Sequence, residues 1–276
     1  MIGDLRCAEL RALIGTAATA IIAGAAFAQP PAGGPDTRTA RERAVIDITG
    51  QWVSVVNEDW LWRMVTPPVG DTASIPLNAQ GRAVALDWDL ERDIAEHRLC
   101  RAFGPPGMIR RPTRIRISWE GDATLRLDFD AGTQTRRLYF EALASPAQSS
   151  LQGHSSASWT RMSRPPGMFG GGSDVMGGTL HVRTVNMAPG YLRPNGVPYS
   201  EHAVMKEYFH TFTLPGDGGI WLIVTTIVDD PEYLTTELVM STQFKREASR
   251  SGWNPQPCEI PPPLIDEPLY TPGLFG

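Results

Sequence analysis

The chain has 276 residues, 42% of them hydrophobic and 20% charged, with a formal net charge of -5. That length and apolar content suffice for a single large β domain. A mildly acidic chain without a basic block lacks the clustered Lys and Arg that neutralise phosphates, so nucleic acid is not an expected partner.

Arg6 and Arg11 precede the run "LIGTAATAIIAGAAFA", which ends in Ala26-Phe27-Ala28. A basic start, a short apolar core and an A-x-A end read as a cleaved secretory signal over residues 1–28. The run falls short of the roughly 20 residues a spanning helix needs. No later segment is apolar enough to span either, so the expected location is periplasmic or secreted, with no stable membrane span after cleavage. Cys7 leaves with the signal. Residues 29–45, "QPPAGGPDTRTARER" and its flank, read as a flexible leader, residues 46–258 as the folded domain, and residues 259–276 as a Pro-rich tail.

Within the domain, "GQWVSVVNEDWLWRM" (residues 50–64) opens as a strand-like aromatic segment. "DLERDIAEHRLCRAF" has helical spacing with Asp89 as N-cap, and is expected to form one short helix carrying Cys100. "TRIRISWE" places Ile115, Ile117 and Trp119 on one face, and "GDATLRLDFDAG" does the same with Leu125, Leu127 and Phe129. "RRLYFEA" supplies a further strand. "RPPGMFGGGSDVMGG" reads as a flexible insertion, and its glycines lack the strand–turn–helix context of a phosphate loop. "TLHVRTVNM" sets Leu180, Val182 and Thr184 against His181 and Arg183. "HAVMKEYFHTFTL", "PGDGG" and "IWLIVTTIV" read as a long hairpin, followed by the strand "LVMSTQFKRE". The total is about 8–10 strands, which suits a barrel or sandwich. Cys100 and Cys258 remain after signal removal, and an even pair in an oxidising compartment is expected to form a disulfide.

Gly50-Gln51-Trp52 at the head of the first strand resembles the G-x-W start of lipocalin-like (calycin) barrels. "DDPEYLTTELVMSTQFKRE" is similar to the last strand of bacterial lipocalin-like domains, where an Asp-Pro turn precedes a strand ending in Lys or Arg. The two stretches bracket about 200 residues, and the chain also resembles exported proteins of proteobacteria. The resemblance implies an all-β fold, a single antiparallel up-and-down barrel whose closed sheet leaves a ligand-sized cavity.

At a period of two, Trp52, Glu58, Trp60 and Trp62 share the inner face of the opening segment, while Asp59 and Arg63 face outward. A carboxylate among indoles is either a general acid or base with a raised pKa, or a structural carboxylate capped by an arginine. A bulge would turn Glu58 outward. Gln134 and Arg136 crowd a strand–turn–strand junction where a rim site is one reading and turn chemistry the other. The proline-braced loop "NMAPGYLRPNGVPYSEH" displays Tyr191, Arg193 and Tyr199, either as a lid or as a packed connection. Glu207 follows as a second candidate inward carboxylate.

Five histidines show no H-E-x-x-H or comparable spacing, and "GHSSAS" lacks the context of a nucleophile elbow at Ser155. No metal, cofactor or serine nucleophile is therefore expected. Two functions remain. The first is a binding barrel for a small hydrophobic or aromatic molecule, with Trp52, Trp60, Trp62, Gln134, Tyr191, Arg193 and Glu207 as contacts. The second is a cofactor-independent acid–base enzyme using Glu58, Arg136 and Tyr199.

Overall fold

The computed structural model describes residues 36–144, 146–163, 175–216 and 218–265. The expected signal, most of the insertion "RPPGMFGGGSDVMGG" and the last residues of the tail lie outside them.

Nine strands close into a barrel: β1 (Gly50–Val55), β2 (Arg114–Trp119), β3 (Thr124–Phe129), β4 (Gln134–Tyr139), β5 (His154–Ser163), β6 (Val175–Val185), β9 (Val204–Thr213), β10 (Ile220–Asp229) and β11 (Leu238–Arg246). Between β6 and β9, β7 (Gly190–Tyr191) and β8 (Pro198–Tyr199) form a separate small hairpin. The order around the barrel follows the chain, and β1 closes the ring by pairing with both β2 and β11. The expected all-antiparallel arrangement needs one correction. A ring with an odd number of strands cannot alternate direction throughout, and the exception is the parallel pair β4–β5. A parallel pair needs a crossover rather than a tight turn, which residues 140–153 supply.

The alternating patterns act as period-two packing requires. Ile115, Leu125, Leu127, Phe129, Phe209 and Phe244 are all at most 1% exposed, whereas Arg126 and Asp128 point outward and pair with each other. Each large side chain removed from water contributes about 1.5–3 kcal/mol. Trp52 is fully buried in the same core. Its indole N–H donates to the Ile48 carbonyl at 2.8 Å, and the Arg246 guanidinium lies 4.7 Å over its ring.

One end of the barrel is capped by residues 56–113, and here the sequence expectations need correction. β1 stops at Val55, and Trp60–Met64 is a short helix, α1, rather than more strand. Asp59 takes a left-handed conformation (φ 49°) that turns the chain, so the inner-face register predicted beyond residue 55 does not exist. Trp60 is 59% exposed, not inside the barrel, and Arg63 is buried, not outward. The excursion continues through α2 (Ala79–Leu86), α3 (Leu90–Ala95), a 3₁₀ turn at Leu99–Phe103 and α4 (Pro105–Met108). Asp89 does cap α3, accepting from the Arg92 amide. The single helix expected over 89–103 is broken at His97, whose φ is 56°. Cys100 in the 3₁₀ turn is disulfide-bonded to Cys258, with Cα atoms 5.1 Å apart.

Candidate functional site

The capped end carries two depressions that share one wall. The first is a recess of about 180 Å³, bordered by Glu58, Asp59, Trp62, Arg63, Arg110 and Arg193. Arg111 and the backbone of β11 from Leu238 to Ser241 complete it. The second is an apolar cleft of about 330 Å³ on the other side of Trp62, walled by Trp60, Leu61, Pro67, Pro68, Leu264 and Ile265.

Local backbone positions the charged groups. The left-handed turn at Asp59 brings both acids back towards Arg110, which lies in the turn after α4. Arg110 donates to Glu58 Oε1 at 2.9 Å and to Asp59 Oδ2 at 2.6 Å, and also to the Ser241 carbonyl. Two carboxylates are thus committed to one guanidinium. Arg63, from α1, donates through Nε to the Arg110 carbonyl at 2.8 Å, which leaves both terminal nitrogens without a hydrogen-bond partner among the described residues. The nearest carboxylate oxygen, Glu58 Oε1, is 3.9 Å from Arg63 Nη1. Arg193, in the β7–β8 loop, lies 5.2 Å over the Trp62 ring, and its Nη1 also lacks a partner. Arg111 stacks 3.9 Å over Phe103 with Nη2 unpartnered. Burial pulls the guanidinium pKa of Arg63, Arg111 and Arg193 down to about 10, with the neighbouring Arg110 charge adding to the effect at Arg63 and Arg193.

The walls are braced from behind. Trp62 donates its indole N–H to Asp71 Oδ2 at 3.0 Å. Asn195 donates to the carbonyls of Pro68 and Asp71, both at 2.9 Å, tying the arginine-bearing loop to the cleft.

The remaining predicted residues are dispersed. Arg136 and Glu207 meet inside the barrel as a fully buried ion pair. Arg136 Nη2 also reaches Thr184 Oγ1 at 3.2 Å and Ser155 Oγ at 3.4 Å. Glu58 shares no hydrogen-bond partner with this pair. Tyr199 is 1% exposed; its hydroxyl fits against Gly104 and Gly190, where any side chain would collide with it. Tyr191 donates its hydroxyl to Asp93 Oδ1 at 3.2 Å. Gln134 bonds Gly132 and Gln152 and sits 3.6 Å from Cys258 Sγ, a supporting position beside the disulfide. Trp52 belongs to the core and borders neither depression. Arg63, Arg110 and Arg111 were not anticipated as site residues; the only signal was "RR" at 110–111 between a Gly-Pro turn and a strand.

Among the described residues no group of three His, Cys, Asp or Glu side chains could hold a metal ion, and no helix is long and apolar enough to cross a membrane. No family model, curated protein or solved structure matches the chain.

Proposed function

We propose that this is an exported, lipocalin-like binding barrel that holds a small, mostly apolar or aromatic molecule at its capped end, outside the lumen. The observation that carries the reading is the cleft beside Trp62. Its walls are nearly all apolar, and its volume of about 330 Å³ lies within the roughly 300–1,000 Å³ of ordinary small-molecule sites. Flat contacts from Trp60 and Trp62 favour a ring-containing ligand. The lumen offers less room, because Trp52, Phe129, Phe209, Phe244 and the Arg136–Glu207 pair fill it.

Intrinsic tryptophan fluorescence and thermal unfolding, followed against neutral aromatic, isoprenoid and steroid compounds, test the reading. At least one class is expected to give saturable changes that Trp60→Ala abolishes. Trp60 is 59% exposed, so its truncation leaves the fold intact. Absence of any saturable response, or an unchanged response in Trp60→Ala, sinks the proposal.

A further inference from the structure

The cleft and the arginine recess meet at Trp62, but their chemistry is opposite. We infer that the recess takes a phosphate-type oxyanion, either free or as the head group of the molecule whose body lies in the cleft. For the free ion the inference stands alone; for the head group it rests on the reading above.

The charge balance favours an anion. Four guanidiniums border the recess, and the two carboxylates there, Glu58 and Asp59, both go to Arg110. Asp71, behind Trp62, offsets part of the Arg193 charge but already accepts from Trp62 and the Ala73 amide. Arg63 and Arg193 are 7% and 9% exposed. Glu58 lies 3.9 Å from Arg63, and Asp59 and Asp71 act on Arg193 only through space, so both buried cations remain incompletely paired. Such burial is costly, and a further anion is the usual remedy.

The number of donors favours a phosphate over a carboxylate. Arg63 Nη1 and Nη2, Arg111 Nη2 and Arg193 Nη1 are four nitrogens on three side chains that border the recess. All are closed off from solvent and without a hydrogen-bond partner among the described residues, so an anion would meet them after small side-chain rotations. They come from three separate chain segments: α1, the turn after α4 and the β7–β8 loop. A phosphate monoester presents three strong acceptor oxygens and between one and two negative charges near neutral pH, whereas a carboxylate presents two oxygens in one plane. The recess volume, about 180 Å³, suits such a compact group.

The acids have a definite part in this arrangement. Arg110 sits beside Arg63 and Arg193 and disfavours the charge on both. Glu58 and Asp59 hold Arg110 as a wall of the recess by hydrogen bonds and, at longer range, partly offset the charge on Arg63 and Arg193. They take none of the hydrogen bonds that the unpartnered nitrogens of those two guanidiniums can give.

The test is calorimetric titration of the full-length protein with inorganic phosphate, 1-naphthyl phosphate, 1-naphthoate and 1-naphthol. Each is repeated on Arg193→Met, and on Arg111→Met in case the first variant folds poorly. Binding of either phosphate, stronger than of naphthoate and weakened roughly ten-fold or more by loss of one arginine, is the expected result; one charge-assisted bond is worth that much. Inorganic phosphate binding without any contribution from the naphthyl group supports the recess for the free ion and removes the head-group form of the inference. Equal affinity for naphthol and naphthyl phosphate, unchanged in both variants, overturns the oxyanion inference and leaves the cleft reading standing. No binding of either phosphate overturns the oxyanion inference, while the cleft reading stands or falls on its own panel of neutral compounds.

Discussion

Arg136 and Glu207 face each other inside the barrel through two parallel bonds, Nη2–Oε2 at 2.7 Å and Nη1–Oε1 at 3.1 Å, with side chains 1% and 0% exposed. The pair joins β4 to β9, strands that are not neighbours in the ring. Removing one partner strands the other charge in the core. Glu207→Leu alone is expected to cost about 3–5 kcal/mol, while the double variant Arg136→Met with Glu207→Leu recovers most of that loss. Urea unfolding of the three proteins measures it. A single variant within about 1 kcal/mol of the parent would show that the pair is not the buried tie described.

The Cys100–Cys258 bridge closes a loop with a sequence separation of 158 residues. In the chain-entropy account, a loop of that length raises stability by up to about 5 kcal/mol, and measured values are commonly about 2–4 kcal/mol. Cys258→Ser should therefore lower the denaturation midpoint, and the parent with dithiothreitol should approach the same value. Thiol titration under denaturing, non-reducing conditions gives the control: in the oxidised chain neither Cys100 nor Cys258 should react. Equal midpoints with and without reductant would contradict the expectation.

Gly196 occupies a left-handed conformation (φ 78°), and a Cβ there would come within 2.1 Å of the Trp88 ring. Trp88 cannot easily yield, because its indole N–H donates to buried Asp93 at 2.9 Å. Gly196→Ala combines backbone strain with overpacking, each worth about 1–3 kcal/mol. The same loop carries Arg193, so weaker phosphate binding should accompany the lower melting temperature. A variant as stable as the parent would mean that Trp88 shifts freely.

How much of this was legible in the sequence depends on the range of the forces involved. β2, β3 and β6 were readable because Ile115, Leu127 and Leu180 alternate with polar residues and one sheet face decides their burial, and β9, β10 and β11 because the turn residues "PGDGG" and "DDPEY" separate them. The disulfide followed from cysteine parity. Arg136 and Glu207 were both visible as candidates, but their pairing spans 71 residues and three strand boundaries. Residues 56–64 misled for a related reason. "NEDWLWRM" alternates like a strand, yet its conformation follows from Arg110, 51 and 52 residues away, which draws Asp59 and Glu58 to one point. No local period encodes that. The recess was only partly legible: Glu58, Trp62 and Arg193 stood out as candidates, but Arg63, Arg110 and Arg111 each read as an ordinary solvated charge.

Tyr199 offers a test through alkaline pH. Its hydroxyl is buried with no hydrogen-bond partner among the described residues. Burial pushes its pKa well above the ordinary 10.0, and the nearby Arg136 charge only partly opposes this. Because the folded value is raised, the contribution of the neutral phenol is fully present below pH 10 and is lost as pH rises above it towards the folded value. The slope in that window is up to about 1.4 kcal/mol per pH unit. Arg63, Arg111 and Arg193 act in the opposite sense. Their folded values near 10 lie below the ordinary 12.5, so the unfolded chain binds more protons between those limits and stability rises with pH. Those arginines are common to the parent and to Tyr199→Phe, so they cancel in the difference between the two. Tyr199→Phe should match or exceed the parent at neutral pH, since it deletes a buried hydroxyl that costs about 1–3 kcal/mol to leave unpaired. Its advantage should then widen above pH 10. Urea unfolding of both proteins at neutral and alkaline pH reads the difference directly, and parallel stability curves through pH 11 would show that the Tyr199 phenol reaches water in the folded state.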